Sequence, residues 1–520
     1  MKRNMLLLIL TSISLFASAQ TCTWIDGEET GYNLNPSSVN YVVCVAPDQT
    51  VWFGGLKEMH TNYYLMMGKN ILIRYDAQGD RLGTYLIDGT LDITSMKCDP
   101  DGNLYIAGDF MDQDIHFWDG SVLHWDGISI NSFIARVNTA ATVDWSVDLN
   151  TARGEYSPVA DMAWRNGRMY LANSIWLGCA VSVIDGSGNL SGFVTESDVG
   201  ILSGIDFDAD GNLYCTGSCT MNDALFNGVS FPPPGFYNKY LVKYAPSGVP
   251  LWVRYSEDVT CIQPKIKVDA DKNIYWTGAL NGPCSFDTVT LQGPAWVYDF
   301  YLVKMTPDGS ALWGREVPQV LTGDAVIGPG EILSVMPDNS VTIGGISRGM
   351  IDWGNGVVSN TGSVYEEAWF LNYSPAGEPL WTKTGAGSYT DVKSVDADLS
   401  GDLYFTGVGH DTVWFDNQNI YRTTYYYPYV VKLASTATGT AEKNSAPAIS
   451  VVPDPARDFI TLTPGKTVRG NVGILDICGR VVLRPGNDPR IDVSSLSSGI
   501  YFVKFSQKDG GEGTVRFVKL

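Results

Sequence analysis

The chain has 520 residues, with 56 acidic and 35 basic side chains and a formal net charge of -21. This acidic excess argues against a protein that binds nucleic acid or an anionic membrane. Charged residues make up 18% of the chain, hydrophobic residues 44% and aromatic residues 12%, with 55 glycines. Such a composition excludes disorder and coiled coil, and the length allows several domains with large cores.

The N-terminus predicts a cleaved secretory signal peptide over residues 1–19. A basic start, an apolar run and small residues follow one another: Lys2-Arg3, 5–16 and Ala17-Ser18-Ala19. The apolar run is shorter than the roughly 20 residues that a membrane-spanning helix needs. We therefore expect cleavage between Ala19 and Gln20; the alternative is a retained N-terminal anchor.

Two short motifs alternate along the following region, and we count seven copies of each. The first is a turn and a strand that usually ends in glycine, as in 101–108, 210–217 and 401–407. The second is an apolar strand, a glycine turn and a strand with tryptophan, as in 240–252, 301–313 and 369–381. Both motifs have the composition of β-hairpins. Two hairpins make a four-stranded sheet whose faces need cover, so we predict an all-β fold with a seven-bladed β-propeller over residues 20–433.

The order of the motifs also predicts how the ring closes. The last motif, at 429–433, is truncated, so a segment near the N-terminus must complete the last sheet. We expect residues 40–44 to do so. Several repeats carry an extra segment with an aromatic residue beside Asp, Asn or Gly: 117–119, 226–228, 286–287, 353–354 and 414–416.

These repeats resemble a known family. Residues 108–145 contain Gly-Asp-Phe, an aromatic-Asp-Gly string and Phe-Ile-Ala-Arg before a tryptophan, and 240–278 and 299–313 follow the same pattern. They are similar to the bacterial β-propeller repeat called the SBBP repeat, over roughly residues 40–433. The resemblance implies a propeller that serves as a surface or adhesin-like module and implies little about chemistry.

The composition changes after Leu433. Residues 434–448 are rich in Ala, Ser and Thr and almost free of apolar bulk, which predicts a flexible linker. Residues 449–520 then predict a small β-sandwich, since short apolar strands alternate with Gly, Pro and Asp turns. The predicted strands are 459–462, 472–477, 481–483, 500–505 and 515–518.

The last unit resembles the type A C-terminal sorting domain of the type IX secretion system. Its motifs stand in order at 452–458, 474–481, 491–496, 499–504 and 517–520. By this resemblance the sorting-signal residues are Pro453, Asp454, Pro455, Gly479, Gly499, Tyr501 and Lys519, with Asp454 in place of the usual asparagine. The resemblance implies export from a Gram-negative cell to its surface or surroundings, with the translocon and a sortase-like protease as partners. The alternative is an ordinary β-domain that stays attached and contacts a ligand.

Nine cysteines are compatible with disulfides in an oxidising compartment, and none has the CxxC spacing of a zinc site. Several could equally be buried core residues. Four histidines, at 60, 116, 124 and 410, lie outside catalytic and metal-binding motifs, and we predict no catalytic residue. Asp206, Asp208 and Asp210 have calcium-loop spacing, but Gly217 stands where the loop needs glutamate, so we favour a hairpin turn and expect no cofactor.

Aromatic clusters are the best candidates for ligand contact, because tyrosine and tryptophan rings stack on sugars and anchor protein partners. The candidates are Phe231, Phe236, Tyr237, Tyr425, Tyr426 and Tyr427. Their alternative role is packing within the blades.

Three functions remain open. We favour a non-catalytic, exported propeller that binds a glycan or a protein. The second is a propeller-fold glycoside hydrolase or polysaccharide lyase, in which carboxylates from several blades would converge on one pocket. The third is a structural or adhesive surface component.

Overall fold

A computed structural model shows the arrangement of most of the chain. The residues it describes are 19–30, 36–60, 66–219, 223–235, 237–257, 263–293, 299–318, 323–361, 366–436, 450–452, 456–463, 472–476, 480–485, 490–506 and 512–520. The chain divides into two compact units, Met1–Thr436 and Ala437–Leu520. The first unit ends three residues after the boundary predicted at 433, because its last strand continues to Thr436. Most of the predicted linker and of the predicted signal peptide lies outside the described residues.

The first unit is built from antiparallel strands. It begins with β1 (Ala19–Gly27), a 3₁₀ turn at Pro36–Ser38, β2 (Tyr41–Val45), β3 (Val51–Met59), β4 (Gly68–Tyr75), β5 (Arg81–Cys98), β6 (Leu104–Phe110), β7 (Ile115–His116), β8 (Val122–Leu123), β9 (Asn131–Val137), β10 (Val143–Asp148) and helix α1 (Leu149–Arg153). It continues with β11 (Val159–Arg165), β12 (Arg168–Ile175), β13 (Gly178–Asp185), β14 (Leu190–Ser197), β15 (Ile201–Phe207), β16 (Leu213–Cys219), β17 (Leu225–Phe226), β18 (Val229–Ser230), β19 (Asn238–Tyr244) and β20 (Pro250–Glu257).

The remaining strands repeat the same alternation. They are β21 (Lys265–Val268), β22 (Ile274–Leu280), β23 (Cys284–Phe286), β24 (Val289–Leu291), β25 (Asp299–Met305), β26 (Ala311–Glu316), β27 (Gly323–Ile327), β28 (Leu333–Val335), β29 (Val341–Gly354), β30 (Val357–Asn360), β31 (Glu367–Tyr373), β32 (Pro379–Thr384), β33 (Tyr389–Thr390), β34 (Ser394–Ala397), β35 (Leu403–Phe415) and β36 (Gln418–Thr436). The first unit is therefore nearly all β.

The strands pair in four-stranded antiparallel arrangements. Their orders are β2-β3-β4-β5, β5-β6-β9-β10, β11-β12-β13-β14, β15-β16-β19-β20, β21-β22-β25-β26, β28-β29-β31-β32 and β34-β35-β36-β1. β5 serves two of them, because its first part pairs with β4 and its second part with β6. The first strands contact one another in the series β2, β5, β11, β15, β21, β28, β34 and back to β2. This arrangement is propeller-like.

The predicted extra segments form short hairpins at the sheet margins. They are β7–β8, β17–β18, β23–β24, β29–β30 and the paired ends of β35 and β36. Their turns hold Asn227, Asp287, Asn355 and Asp416 at φ values of 46, 53, 52 and 53°. Asn and Asp tolerate this left-handed region better than other residues with a side chain, which explains their place in the motif.

The last sheet is completed by β1, and the prediction that residues 40–44 would complete it is wrong. β1 pairs with β36 from Ala19 opposite Thr436 to Gly27 opposite Tyr429. Residues 41–45 form β2, the first strand of the first sheet. The physical reason is that β1 carries Trp24, the tryptophan that the truncated final motif lacks.

Neighbouring sheets are joined by a recurring contact that we call the Trp–Lys clamp. A tryptophan of the fourth strand and a lysine of the third strand donate hydrogen bonds to the same carbonyl oxygen in a turn of the next sheet. The clamps are Trp252 and Lys243 on Pro307 (3.3 and 3.0 Å), Trp313 and Lys304 on Pro375 (3.1 and 3.2 Å), and Trp24 and Lys432 on Ala77 (3.3 and 3.2 Å). The last clamp joins the final sheet to the first in the manner of the two others.

A buried carboxyl lies between the sheets of β14 and β19. Glu196 is fully buried and accepts hydrogen bonds from the Tyr240 and Tyr244 hydroxyls, at 2.5 and 2.8 Å. Burial raises the pKa of Glu196 to about 7, against the two hydrogen bonds, which lower it. Below about pH 7 the protonated form of Glu196 therefore predominates in the folded chain.

The second unit contains two sheets. Its strands are β37 (Ser450–Val452), β38 (Phe459–Thr463), β39 (Gly473–Leu475), β40 (Val481–Leu483), β41 (Arg490–Asp492), β42 (Gly499–Ser506) and β43 (Glu512–Lys519), in the orders β37-β38-β41 and β40-β39-β42-β43. Both sheets contribute to one hydrophobic cluster, which includes Ile460, Ile474, Ile491, Val503 and Phe517. Five of these strands overlap the predicted ones.

We expect Trp24→Ala to destabilise the first unit by about 3–5 kcal/mol, the usual cost of truncating a buried aromatic residue. Trp24 is 8% exposed and stacks on Tyr75 at 5.4 Å between ring centroids, in addition to its clamp. Denaturant unfolding measures the change. The control is Trp176→Ala, whose side chain is 88% exposed and should shift stability by no more than about 0.5 kcal/mol. Equal losses in the two variants would contradict the role of β1.

We expect Glu196 to make the chain less stable as the pH rises from 4.5 to 7. The folded pKa lies above the ordinary value of 4.5, so the stabilisation is complete below pH 4.5 and is lost as the pH rises through about 7. Glu196→Gln removes the contribution of this group to the pH dependence of the unfolding free energy, which is at most about 3 kcal/mol between pH 4.5 and pH 7. Urea unfolding of both proteins across this pH range checks it, and equal slopes would contradict it.

Candidate functional site

The first strands of the sheets surround a cavity of about 350 Å³, here called the channel cavity. Each of these strands contributes to its lining, as the residues Val45, Lys97, Trp164, Asp206, Lys267, Val335 and Asp396 show. Glu331, which precedes β28, also lines it. A second cavity of about 650 Å³, the vestibule, shares Val45, Cys98, Trp164 and Ala397 with the first and is bordered by the turns after β2, β5 and β34. The two cavities are therefore adjacent.

Three charged residues form a bridge between strands that are not neighbours. Lys97 Nζ of β5 donates to Glu331 Oε2 at 2.8 Å, although β28 contacts β21 and β34 and not β5 in the series of first strands. Asp161 of β11 is an electrostatic neighbour of Glu331, whose charge acts together with burial to raise the pKa of Asp161. We call Lys97, Glu331 and Asp161 the charged bridge. Its Lys97–Glu331 pair therefore crosses the channel cavity and does not join two neighbouring strands of the cavity wall.

The two carboxyls of the charged bridge have pKa values that are shifted in opposite directions. Burial and the neighbouring Glu331 charge raise the pKa of Asp161 to about 7. The pKa of Glu331 is held well below its ordinary value by Lys97 and Lys267, although burial alone would raise it. Glu331 is therefore the ionised partner, and Asp161 carries the proton below pH 7.

Three aspartates on the first strands tie neighbouring sheets together. Each accepts the backbone N–H of the following residue and one N–H from the first strand of the next sheet. The second contacts are Asp161 with Ile205, Asp206 with Val268, and Asp396 with Val45, at 2.9, 2.8 and 2.9 Å. The Asp396 contact connects the last sheet to the first. The three aspartates therefore stabilise the packing of neighbouring sheets through hydrogen bonds, in addition to placing charge at the first strands.

Two further lysines belong to β21. Lys265 is buried and donates to the Ser203 carbonyl oxygen at 2.8 Å. Lys267 is half-buried, lines the channel cavity, and makes no ion pair or hydrogen bond with the described residues. A disulfide joins Cys44 of β2 to Cys98 of β5 beside the cavity.

Apart from Asp206, which was considered for calcium binding, sequence reasoning missed these charged residues, although the sequence holds a signal for four of them. In four repeats a charged residue stands two positions before the aspartate of the first turn: Lys97 before Asp99, Asp206 before Asp208, Lys267 before Asp269 and Asp396 before Asp398. The residues on either side are largely apolar or cysteine. A single charge at one position of a buried strand indicates a side chain that faces a channel.

Four aromatic side chains form a separate group at β33, β35 and β36, the aromatic cluster. His410 lies 4.0 Å from Tyr425, Tyr425 lies 4.9 Å from Tyr426, and Tyr389 lies 5.5 Å from Tyr426, all between ring centroids. Tyr425 is 57% exposed, and the other three are half-buried. The cluster thus has one exposed ring, Tyr425, which packs against the half-buried rings of His410 and Tyr426.

The six predicted ligand contacts have different positions. Tyr425 and Tyr426 lie in the aromatic cluster, whereas Tyr427 is fully buried and donates to the carbonyl oxygens of Asp411 and Ile420. Tyr427 is therefore part of the core. Phe231 is half-buried, Tyr237 is exposed, and Phe236 lies outside the described residues.

The three aspartates with calcium-loop spacing do not converge. Asp206 accepts backbone N–H groups, Asp208 is buried and bonds to Asn212 and the Tyr214 hydroxyl, and Asp210 pairs with Lys272 at 2.7 Å. Within the described part of the chain, no group of three or more His, Cys, Asp or Glu side chains could hold a metal ion. Asp208 instead closes a hairpin turn.

The residues predicted for processing and sorting are partly described. Ala19 and Gln20 begin β1, and Gln20 Nε2 donates to the Gly401 carbonyl oxygen at 3.1 Å. Gly499 and Tyr501 belong to β42 and Lys519 to β43. Tyr501 stacks on Phe517 and donates to the Ser497 carbonyl oxygen. Pro453, Asp454, Pro455 and Gly479 lie outside the described residues.

Comparison with protein families finds one match, the secretion system C-terminal sorting domain, over residues 450–519. This domain marks proteins that the type IX system exports, so the chain is directed to the cell surface or the extracellular space. No repeat family matches the first unit, and its similarity to the SBBP repeat stays a prediction. No curated protein matches the chain. None of the described helices is long and apolar enough to cross a membrane.

Solved structures with a similar fold were also found. A catalytically inactive virginiamycin B lyase from Staphylococcus aureus with quinupristin has a TM-score of 0.38 and 10% identity, covering 78% of this chain and 99% of its own. The WD40 domain of Toxoplasma gondii coronin has a TM-score of 0.36 and 9% identity, with 81% and 89% covered. A xylan beta-1,4-xylosidase from Bacillus halodurans has a TM-score of 0.27 and 9% identity, with 79% and 98% covered. Similarities this low do not indicate an activity for this chain.

We expect the charged bridge to behave as one unit. Lys97→Met leaves the buried Glu331 carboxylate without its paired ammonium group, and Glu331→Gln leaves the Lys97 ammonium group without its paired carboxylate. Each variant should therefore lose about 3 kcal/mol of unfolding free energy. The double variant should lose less than the sum, with a coupling of about 1–3 kcal/mol in a double-mutant cycle by urea unfolding. Additive losses would show that the bridge does not form.

Proposed function

We propose that the first unit is a closed seven-bladed β-propeller, and that the exported protein binds a glycan or a protein without catalysing a reaction. The seven four-stranded arrangements, whose first strands contact each other in a series that returns to β2, support the closed ring. The clamp of Trp24 and Lys432 on Ala77 supports the closure between the last blade and the first.

The observation that carries the binding function is the aromatic cluster. Its exposed ring, Tyr425, rests against His410 and Tyr426, which limits the conformational entropy that the ring loses on binding. Flat aromatic faces of this kind stack on sugar rings and anchor proteins. With a net charge of -21, the chain favours a neutral or basic partner over a polyanion.

A second function, glycoside hydrolysis, is favoured by the pair of Asp161 and Glu331. One carboxyl of the pair is protonated and the other is ionised, the division of roles that acid–base cleavage of a glycosidic bond requires. Against it, both oxygens of Asp161 accept backbone N–H bonds and Glu331 is paired with Lys97. These contacts favour a structural use of the pair, so we rank catalysis second.

The binding function predicts that Tyr425→Ala weakens binding of a glycan or protein hit by about tenfold, or 1.4 kcal/mol. A glycan array and a pull-down from cell-surface proteins supply the hit, and titration calorimetry measures the change. The control is Tyr421→Ala, because Tyr421 is 56% exposed on the same strand and lies outside the cluster. A chain with no specific hit, or equal losses in the two variants, would overturn the proposal.

The catalytic alternative has its own test. Purified chain is incubated with a panel of polysaccharides, and new reducing ends and unsaturated products are measured. We expect no turnover. Turnover that disappears in Glu331→Gln while the fold remains intact would replace the binding function with hydrolysis or elimination.

A further inference from the structure

We propose that the channel cavity, with the vestibule as its entrance, is a second binding site, specific for a neutral sugar residue. The site is separate from the aromatic cluster, so either proposal can fail without the other. It is defined by Lys267, Trp164 and the charged bridge.

Lys267 lines the cavity and makes no hydrogen bond or ion pair with the described residues, although its charge acts on Glu331 and Asp161. The carboxylates of Asp206 and Asp396 each accept two backbone N–H groups, and Lys97 is paired with Glu331. Lys267 has three N–H donors and no hydrogen-bond partner among the described residues. A half-buried ammonium group without a partner gains from a ligand that offers oxygen acceptors.

The cavity lining carries charged groups of both kinds, which favours a neutral ligand. The side chains of Lys97 and Lys267 line it together with the carboxyl groups of Asp206, Glu331 and Asp396. An anion would gain from Lys267 and lose to the carboxylates, and a cation would do the reverse. Vicinal hydroxyls suit such a site, because they accept from an ammonium group and donate to carboxylate oxygens at once.

The entrance fits a ring. Trp164 lines both cavities and is half-buried, and its ring lies 5.6 Å from that of Tyr105 between centroids. Pro47, Pro100 and Leu399 add apolar surface to the vestibule. A sugar ring has apolar C–H faces and polar edges, and it can pass Trp164 face-on while its hydroxyls reach Lys267. The disulfide between β2 and β5 keeps this wall rigid.

The test compares congeners of one ring by saturation-transfer NMR and calorimetry on the purified chain. The neutral probes are D-glucose, D-galactose, D-mannose and D-xylose, and the charged probes are D-glucuronate and D-glucosamine. We expect at least one neutral sugar to bind at millimolar concentration and Lys267→Met to weaken it by about tenfold or more. Lys272→Met is the control, because Lys272 lies on the turn after β21 and pairs with Asp210.

A second measurement keeps the test independent of variant folding. Lysines of the wild-type chain are acetylated with and without the bound sugar, and labelling is read by mass spectrometry. The sugar should protect Lys267 and leave Lys272 unchanged. Absence of Lys267-dependent binding by every neutral sugar, stronger binding of glucuronate or glucosamine, or unchanged labelling of Lys267 would each overturn the proposal.

Discussion

The structure of the first unit depends on the contacts between each four-stranded sheet and the next. A sheet of this size cannot bury both faces alone, so its stability comes from its neighbours. Two contacts recur between neighbours: the Trp–Lys clamp at the turns and the aspartate that accepts an N–H from the next first strand. Both contacts recur at the junction of the last and first sheets, through Trp24 of β1, which pairs with β36, and through Asp396 of β34.

The charged residues between the first strands are a consequence of these contacts between sheets. The first strands come close together, and charged residues such as Lys97, Lys267 and Glu331 line the cavity between them. Asp161, Asp206 and Asp396 are used as backbone acceptors, and the charged bridge spans the space that they leave. Lys267 makes no hydrogen bond or ion pair with the described residues, although its charge lowers the pKa of Glu331. The same geometry that stabilises the sheets therefore leaves one donor available to a ligand.

Much of the fold was predictable because its signals are local. The Asp-Gly and Asn-Gly turns, the strands and the marginal hairpins follow from short segments, and the sorting domain follows from motifs within one small unit. The closing strand was predicted at residues 40–44 and lies at Ala19–Gly27, because pairing between strands 400 residues apart leaves no local signal. Trp24 was the available indication, since it replaces the tryptophan missing after residue 433.

The candidate site was less predictable. Tyr425 and Tyr426 could be singled out by their type, but a sequence does not show which residues of a strand are buried, and Tyr427 proved to be core. Lys97, Asp161 and Glu331 are far apart in the chain and meet because their strands converge. Such a site depends on the register of several strands at once, which no single motif contains.

The most direct test of the closed ring is hydrogen–deuterium exchange of the segment 20–27, read by mass spectrometry on the purified chain. If β1 is the fourth strand of the last sheet, its amides should be protected to about the same extent as those of β20 and β26, which hold the corresponding places. Exchange of this segment within seconds, while β20 and β26 remain protected, would show that the ring is open and would contradict the channel built on it.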